Sequence, residues 1–245
     1  MKYMGSKSRH AKEIIKAIEI ELGGSLWNWG SGDKDYVEPF VGGANMIDKI
    51  PNVFREKIGN DINIHIIEMF RAIQNGWIPP DSCTEEEYLR LKEKSKVLIP
   101  LLESPWIGFV GIGCSYSGKW FGGYARGDNS KGMPRHYCLE SKNNLLKQDL
   151  KGIKFISGDY HDLILLDQSL IYCDPPYAGA TKYKGDFDHN RFWEWCERMV
   201  ADGHKVFVSE YKAPEGWKCI WKKEVNNSLT KETGSKQGIE KLFTK

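Results

Sequence analysis

Two stretches of this chain share an order of events that few folds accommodate. "YVEPF" (36–40) is strand-like; it meets Gly42 and Gly43 and then a helical pattern over 44–49. "EKIGND" (56–61) is a second short run, ends on an acid, and precedes a further helix beginning near Asn63. Strand, glycine turn, helix, then a strand with an acid at its tip is the opening of a doubly wound α/β sheet. The pattern resumes later in "IKFISGD" (153–159), "SLIYCD" (169–174), a helix over 190–202, "HKVFVSEY" (204–211), "KCIWKKEV" (218–225) and "EKLFTK" (240–245). Little helix separates the last three strand candidates, which predicts an antiparallel edge pair.

Before the first strand, Ser6 or Ser8 caps a helix whose Ile14, Ile15, Ile18 and Leu22 recur at helical spacing, and Gly23-Gly24 ends it. Residues 76–150 change character. Prolines at 79, 80, 100 and 105 and a glycine- and aromatic-rich passage, "WIGFVGIGCSYSGKWFGGYARGDNSKGMPRHY", read as an inserted lobe.

Composition bounds the function classes. Hydrophobic content of 40% and charged content of 28% are those of a globular protein. No apolar run approaches the ~20 residues that span a bilayer, and the N-terminus has no apolar signal region. The six cysteines lack any C-x-x-C pair, so free thiols in the cytoplasm are expected rather than zinc or a disulfide framework. A net charge of +2 permits nucleic acid without arguing for it; a basic face would have to be local.

Four motifs carry chemistry. In "IYCDPPY" (171–177) a strand delivers Asp174 to its carboxyl end, where open α/β sheets bind ligands. Pro175 and Pro176 fix φ, and a proline offers a carbonyl acceptor with no competing N–H. Two acceptors and the ring of Tyr177 suit a planar base with an exocyclic amine, adenine or cytosine. In "VEPFVGGAN" the glycines let the backbone approach a ligand, and Asp61, about 20 residues on, is placed for ribose hydroxyls. "KYMGSK" sets Tyr3 and Lys7 before a helix; read alone it is a helix start with a surface lysine. "GCSYSGKW" (113–120) has phosphate-loop spacing, but Trp120 stands where Ser or Thr would hold magnesium, which discounts ATP hydrolysis.

"YMGSK" (3–7), "VEPFVGGAN" (37–45), "NDIN" (60–63), "YSGKWFGGYA" (116–125) and "YCDPPY" (172–177), in that order, resemble the Dam-type adenine-N6 DNA methyltransferases, and "SLTKETGSKQGIEKLF" (228–243) is similar to that family's C-terminal hairpin. The resemblance implies a doubly wound, mostly parallel seven-stranded Rossmann-like methyltransferase sheet. Residues 1–75 and 151–245 would form the catalytic domain and 76–150 an inserted target-recognition domain. It implies S-adenosyl-L-methionine as cofactor, double-stranded DNA as partner, a flipped adenine as substrate, and no membrane; a monomer is favoured. By matching positions, Tyr3, Lys7, Glu38, Phe40, Gly42, Asp61, Asp159 and Asp174 would line the cofactor pocket, with Lys7 near the cofactor carboxylate. Asp174, Pro175 and Tyr177 would hold the target base. Tyr3 departs from the tryptophan often found at its position. Lys119, Arg126 and Arg135 in the lobe, and Lys231 and Lys236 in the C-terminal segment, are the DNA-binding candidates; Trp120 and Phe121 are expected to pack the lobe. RNA adenine or DNA cytosine-N4 methylation, and a DNA-binding relative that no longer catalyses, fit the same residues.

Overall fold

The computed structural model describes the chain except residues 2, 98–101, 129–131, 167, 178–186 and 227–236, and the side chains of 225, 226 and 237. Seven strands, β1 (Tyr36–Glu38), β2 (Lys57–Asp61), β3 (Ile153–Ser157), β4 (Leu170–Cys173), β5 (Lys205–Glu210), β6 (Lys218–Asn226) and β7 (Gln237–Thr244), form one sheet in the order β3-β2-β1-β4-β5-β7-β6. β1 and β4, and β4 and β5, pair parallel, whereas β7 runs antiparallel to both β5 and β6. The doubly wound, seven-stranded sheet and its antiparallel edge therefore match the sequence reading. β4 is buried along its whole length, which is why "LIYC" shows no polar alternation.

The chain divides into two compact units. The first comprises Met1–Ala11, Val41–Ile50 and Ile58–Asp162, and thus contains residues 76–150. Its helices are α3 (Ile64–Gln74), α4 (Glu85–Lys94), α5 (Ser104–Gly113) and α6 (Tyr137–Leu145), after α1 (Ala11–Glu21) and α2 (Leu26–Gly30) earlier in the chain. Asn63 caps α3 by accepting from His65 N at 3.1 Å, and Thr84 caps α4 by accepting from Glu87 N at 3.1 Å. Phe70 of α3 stacks on Phe155 of β3 at 4.7 Å, and Arg71 donates twice to the Phe155 carbonyl.

Two expectations about this unit need correction. "SPWIGFVGIG", read as turn-rich, is helix α5. Its glycines are packing residues: a Cβ at Gly108 would lie 2.1 Å from the His65 carbonyl oxygen, so α3 and α5 touch through backbone. The helix expected over 44–49 shrinks to a single 3-10 turn, Ile47–Lys49, because Ala44 has φ +53° and cannot be helical. Phe121 is buried in this unit, and Trp120 packs on it edge-on at 5.0 Å, so both rings serve packing as expected.

The second unit comprises Lys12–Phe40, Pro51–Lys57 and Leu163–Lys245. Helix α7 (His189–Ala201) is capped by Asp188 and buries Phe192, Trp195, Cys196 and Met199, one face at 3- to 4-residue spacing. Asp35, buried just before β1, takes a bidentate bond from Arg55 at 2.9 and 2.8 Å. All six cysteines are free thiols, and only Cys219 is exposed. Among the described residues no helix is long and apolar enough to cross a membrane.

His65 pins the first unit internally. Its Nε2 lies 3.0 Å from the Val97 carbonyl, which can only accept, so the proton is on Nε2 and Nδ1 accepts from Ser104 Oγ at 2.9 Å. Burial holds its pKa below the ordinary 6.5. The unfolded chain binds this proton more readily than the folded one, so stability is present above the unfolded value and is lost as pH falls. Urea midpoints should drop between about pH 7 and 5, and His65→Gln should flatten that slope; an unchanged slope in the variant would remove His65 as its source.

Candidate active site

The first unit holds five of the expected cofactor residues, and three of them, Tyr3, Gly42 and Asp61, meet at the glycine turn. Gly42 has φ +48°, a left-handed conformation that glycine adopts without penalty. Tyr3 lies on this turn: a Cβ at Gly42 would stand 2.8 Å from its Cε1, and one at Gly43 would stand 2.7 Å from its Cβ. Asp61, at the tip of β2, closes the turn from the other side. Its Oδ2 accepts from Gly42 N at 3.0 Å, its Oδ1 from Asn63 N at 2.9 Å, and its own carbonyl accepts from Gly158 N at 3.2 Å. Burial pushes the Asp61 carboxyl up, and the two N–H donors pull it back only in part.

The "YMGSK" segment is tightly built. Ser6 N donates to the Tyr3 carbonyl, Gly5 takes φ +80°, and Ser6 Oγ caps a 3-10 turn over Lys7–Arg9. Lys7 is buried, not a surface lysine, and its Nζ donates to the Gly5 carbonyl at 3.0 Å. Met4 N reaches the carbonyl of Gly118 at 3.1 Å, so the "YSGK" segment is a brace for the N-terminal motif. Helix α5, not a strand, leads into it, which disposes of the phosphate-loop reading. Asp159, partly buried beyond β3, accepts from His161 N at 2.9 Å.

In the second unit, β4 hands Asp174 into a partly buried position, with Pro175 buried behind it. Tyr177 packs edge-on against Tyr211 at 4.7 Å. Tyr172, one strand position from Cys173, shares a hydrogen bond of 2.8 Å with Ser209 Oγ. Burial first and the Asp174 charge second drive both the Tyr172 and Tyr177 hydroxyls well above 10, so both stay protonated. Glu38, buried at the tip of β1, accepts from Tyr36 OH at 2.7 Å. Phe40 meets Phe187 and Phe192 edge-on, each at 5.7 Å.

The DNA-binding candidates fall differently. Lys119 is exposed. Arg126 pairs with Glu85 and lies over the Tyr124 ring, and Arg135 pairs with Glu140 and lies over Tyr137. Lys231 and Lys236 lie outside the described residues. Of the other C-terminal lysines, Lys218 and Lys223 pair with Glu21 and Glu13. Among the described residues no group of three acids, cysteines or histidines is arranged to hold a metal.

Sequence reasoning missed three polar side chains that tie down the turn or the segments beside it. Asn60 Nδ2 donates to the Gly158 carbonyl at 3.0 Å, and Asn45 exchanges two hydrogen bonds with Met1, each at 3.0 Å. Gln148 reaches the same turn from the start of the segment before β3. Asn60 and Asn45 lie inside quoted motifs, but nothing in the pattern gives them a bracing role; an isolated glutamine carries no signal at all. Ala44, left-handed beside them, stores roughly 1–2 kcal/mol of backbone strain.

The overlap of Tyr3 with the glycines is testable. Gly42→Ala should cost about 1–3 kcal/mol by overpacking and strain together. In a Tyr3→Ala background the steric part should vanish, leaving a coupling of at least ~0.5 kcal/mol in urea unfolding; strict additivity would contradict the contact.

The profile of the D12 class N6 adenine-specific DNA methyltransferases matches residues 3–97 and 124–237. A DNA adenine methylase of Vibrio cholerae is 25% identical over 178 residues, 62% of this chain and 62% of that protein, so the chain spans about that share of this relative's length. The type II methyltransferase M.MjaIII of Methanocaldococcus jannaschii is 23% identical over 252 residues, covering 85% of this chain and 82% of its own. A solved structure described as a methylase, from Haemophilus influenzae, covers 93% of this chain and 87% of its own at 9% identity, but its TM-score of 0.35 carries no argument. With the profile matched over most of its length and the motif residues placed as described, this chain belongs to the D12 class N6 adenine-specific DNA methyltransferase family.

Proposed function

We propose that this chain methylates the exocyclic amine of an adenine turned out of duplex DNA, with S-adenosyl-L-methionine as donor. The observation that carries the reading is the corner after β4, where a partly buried carboxylate, a buried proline, a second proline and a tyrosine ring follow one another. Asp174 and the Pro175 carbonyl accept the two amine hydrogens, which returns lone-pair density to the nitrogen. The cofactor supplies an electrophilic sulfonium methyl. As the N–CH3 bond forms and the S–CH3 bond breaks, a neutral thioether would leave and positive charge would develop on nitrogen beside Asp174; one such contact is worth ~3–4 kcal/mol of barrier. The surplus proton would then pass from that nitrogen to solvent. Tyr172 and Tyr177, held neutral, add no competing charge to that corner.

The first unit fits a nucleoside ligand. Each Asp61 oxygen accepts one backbone N–H, and each keeps a lone pair for a ribose hydroxyl. Lys7 is the buried cation assigned to the cofactor carboxylate, Tyr3 and Gly42 to its covering and close approach, Glu38 and Phe40 to the pocket lining, and Asp159 to its adenine ring. An adenine within a duplex must be extruded at a cost of a few kcal/mol, and stacking on Tyr177 recovers ~1–3 kcal/mol of it.

Residues 76–150 are assigned to target reading, with Lys119, Arg126 and Arg135 addressing DNA; Lys231 and Lys236 are assigned to its phosphates. The ion pairs that hold Arg126 and Arg135 are solvent-facing. Such pairs are worth no more than ~1 kcal/mol, so a phosphate or guanine exchanges for the glutamate at small cost. The family match favours adenine over cytosine and DNA over RNA.

Mass spectrometry of nucleosides, after incubation with donor and duplex DNA, RNA or cytosine-only targets, should find N6-methyladenine in DNA alone. Asp174→Ala should lower turnover by at least about a hundredfold while cofactor still binds in calorimetry; full turnover would sink the acceptor role. Cofactor affinity should also fall on acidification. The Asp61 carboxyl titrates above its ordinary 3.8, and hydroxyl donors favour its ionised form, so protonation competes with binding. Asp61→Asn should bind weakly at every pH and lose that dependence.

A further inference from the structure

The glycine turn is braced by a residue from far along the chain. Gln148 follows α6, and its backbone N–H is anchored to the Leu145 carbonyl at 3.0 Å. Its Nε2 donates to the carbonyls of Gly43 at 2.9 Å and Ala44 at 3.1 Å, with Asn45 Oδ1 at 3.5 Å. The two amide hydrogens are thus taken by two adjacent peptide carbonyls. Its Oε1 is buried with no hydrogen-bond partner among the described residues. The flipped amide would set that oxygen against two carbonyl oxygens, so the orientation is forced despite the unsatisfied acceptor.

Those two carbonyls flank Ala44, whose φ of +53° is foreign to an L residue. Strain of this kind persists only where the surroundings over-determine it. Relaxation of Ala44 would swing the peptide planes that Gln148 holds, and with them the Gly42 N–H that rests on Asp61. We infer that Gln148 is a positioning residue for cofactor binding: by clamping the Gly43 and Ala44 carbonyls it keeps Ala44 left-handed and the glycine turn in its ligand-ready shape. The segment assigned to target reading therefore carries, close to its end, the residue that sets the cofactor turn.

The binding assay rests on the methyl-transfer reading; the clamp itself does not. Gln148→Met keeps length and volume and removes the donor, and Gln148→Glu replaces the donor by an acceptor. In calorimetry with S-adenosyl-L-methionine both should weaken binding about tenfold or more, with turnover at saturating cofactor within about threefold of wild type. Hydrogen exchange of the peptide spanning residues 42–45 should quicken in both. Adding Ala44→Gly to Gln148→Met should recover part of the affinity, because glycine takes the left-handed conformation without strain; a merely structural loss would not be repaired there. Wild-type affinity and wild-type exchange in both variants would overturn the clamp, as would a loss that tracks thermal stability and ignores Ala44→Gly. If the wild type takes up no cofactor, the methyl-transfer reading fails, and exchange at residues 42–45 alone decides the role of Gln148.

Discussion

One carboxylate organises the first unit. Asp61 ends β2, receives the Gly42 N–H on one oxygen and the Asn63 N–H on the other, and gives its carbonyl to Gly158. Glycine turn, start of α3 and the end of β3 are thereby fastened to one residue. Hydrogen bonds to a charged group are worth ~1.5–3 kcal/mol each, yet burial outweighs the pair of donors and leaves the carboxyl harder to ionise than in water. A ligand that brings two further donors completes the solvation of that charge. The same imbalance that costs the free protein stability is what the proposed ribose diol would relieve.

The second unit handles charge in the opposite way. Burial keeps two phenols near Asp174 from ionising, Tyr172 bonded to Ser209 and Tyr177 against Tyr211, and it does the same for Tyr36, bonded to Glu38. Neutral donors near fixed carboxylates polarise without adding charge, as the proposed methyl transfer would require. On the surface the balance shifts again. Arg126 and Arg135 rest on aromatic rings and pair with glutamates at the surface, where water screens each pair.

Much of this was legible because it depends on local chemistry. Gly42 is glycine because the turn needs positive φ there; Asp61, Asp159 and Asp174 follow apolar runs closely enough to mark strand ends; Asn63 and Asp188 cap the helices that follow them. What escaped notice depends on contacts remote in sequence. The glycines of "WIGFVGIG" look like turn formers until α3 presses its backbone on Gly108. The helix expected after the glycines fails because Ala44 is left-handed, and its carbonyl is taken by Gln148, 104 positions away. Lys7 reads as a surface lysine until burial places its ammonium on the Gly5 carbonyl.

The sequence by itself determined the strand order of events, the acids at the strand tips, the paired prolines that stop β4 and the family to which such motifs belong, since each is a local consequence of backbone geometry or of a short spacing. Only the tertiary structure decided which neighbours those residues have: that Tyr3 covers the glycines, that Asp61 is shared by two N–H groups, that the lobe arginines carry glutamate partners, and that Gln148 holds the turn. Spacing along a chain encodes φ, ψ and burial, whereas hydrogen-bond partners are chosen by which backbones the packed elements bring within about 3 Å of one another.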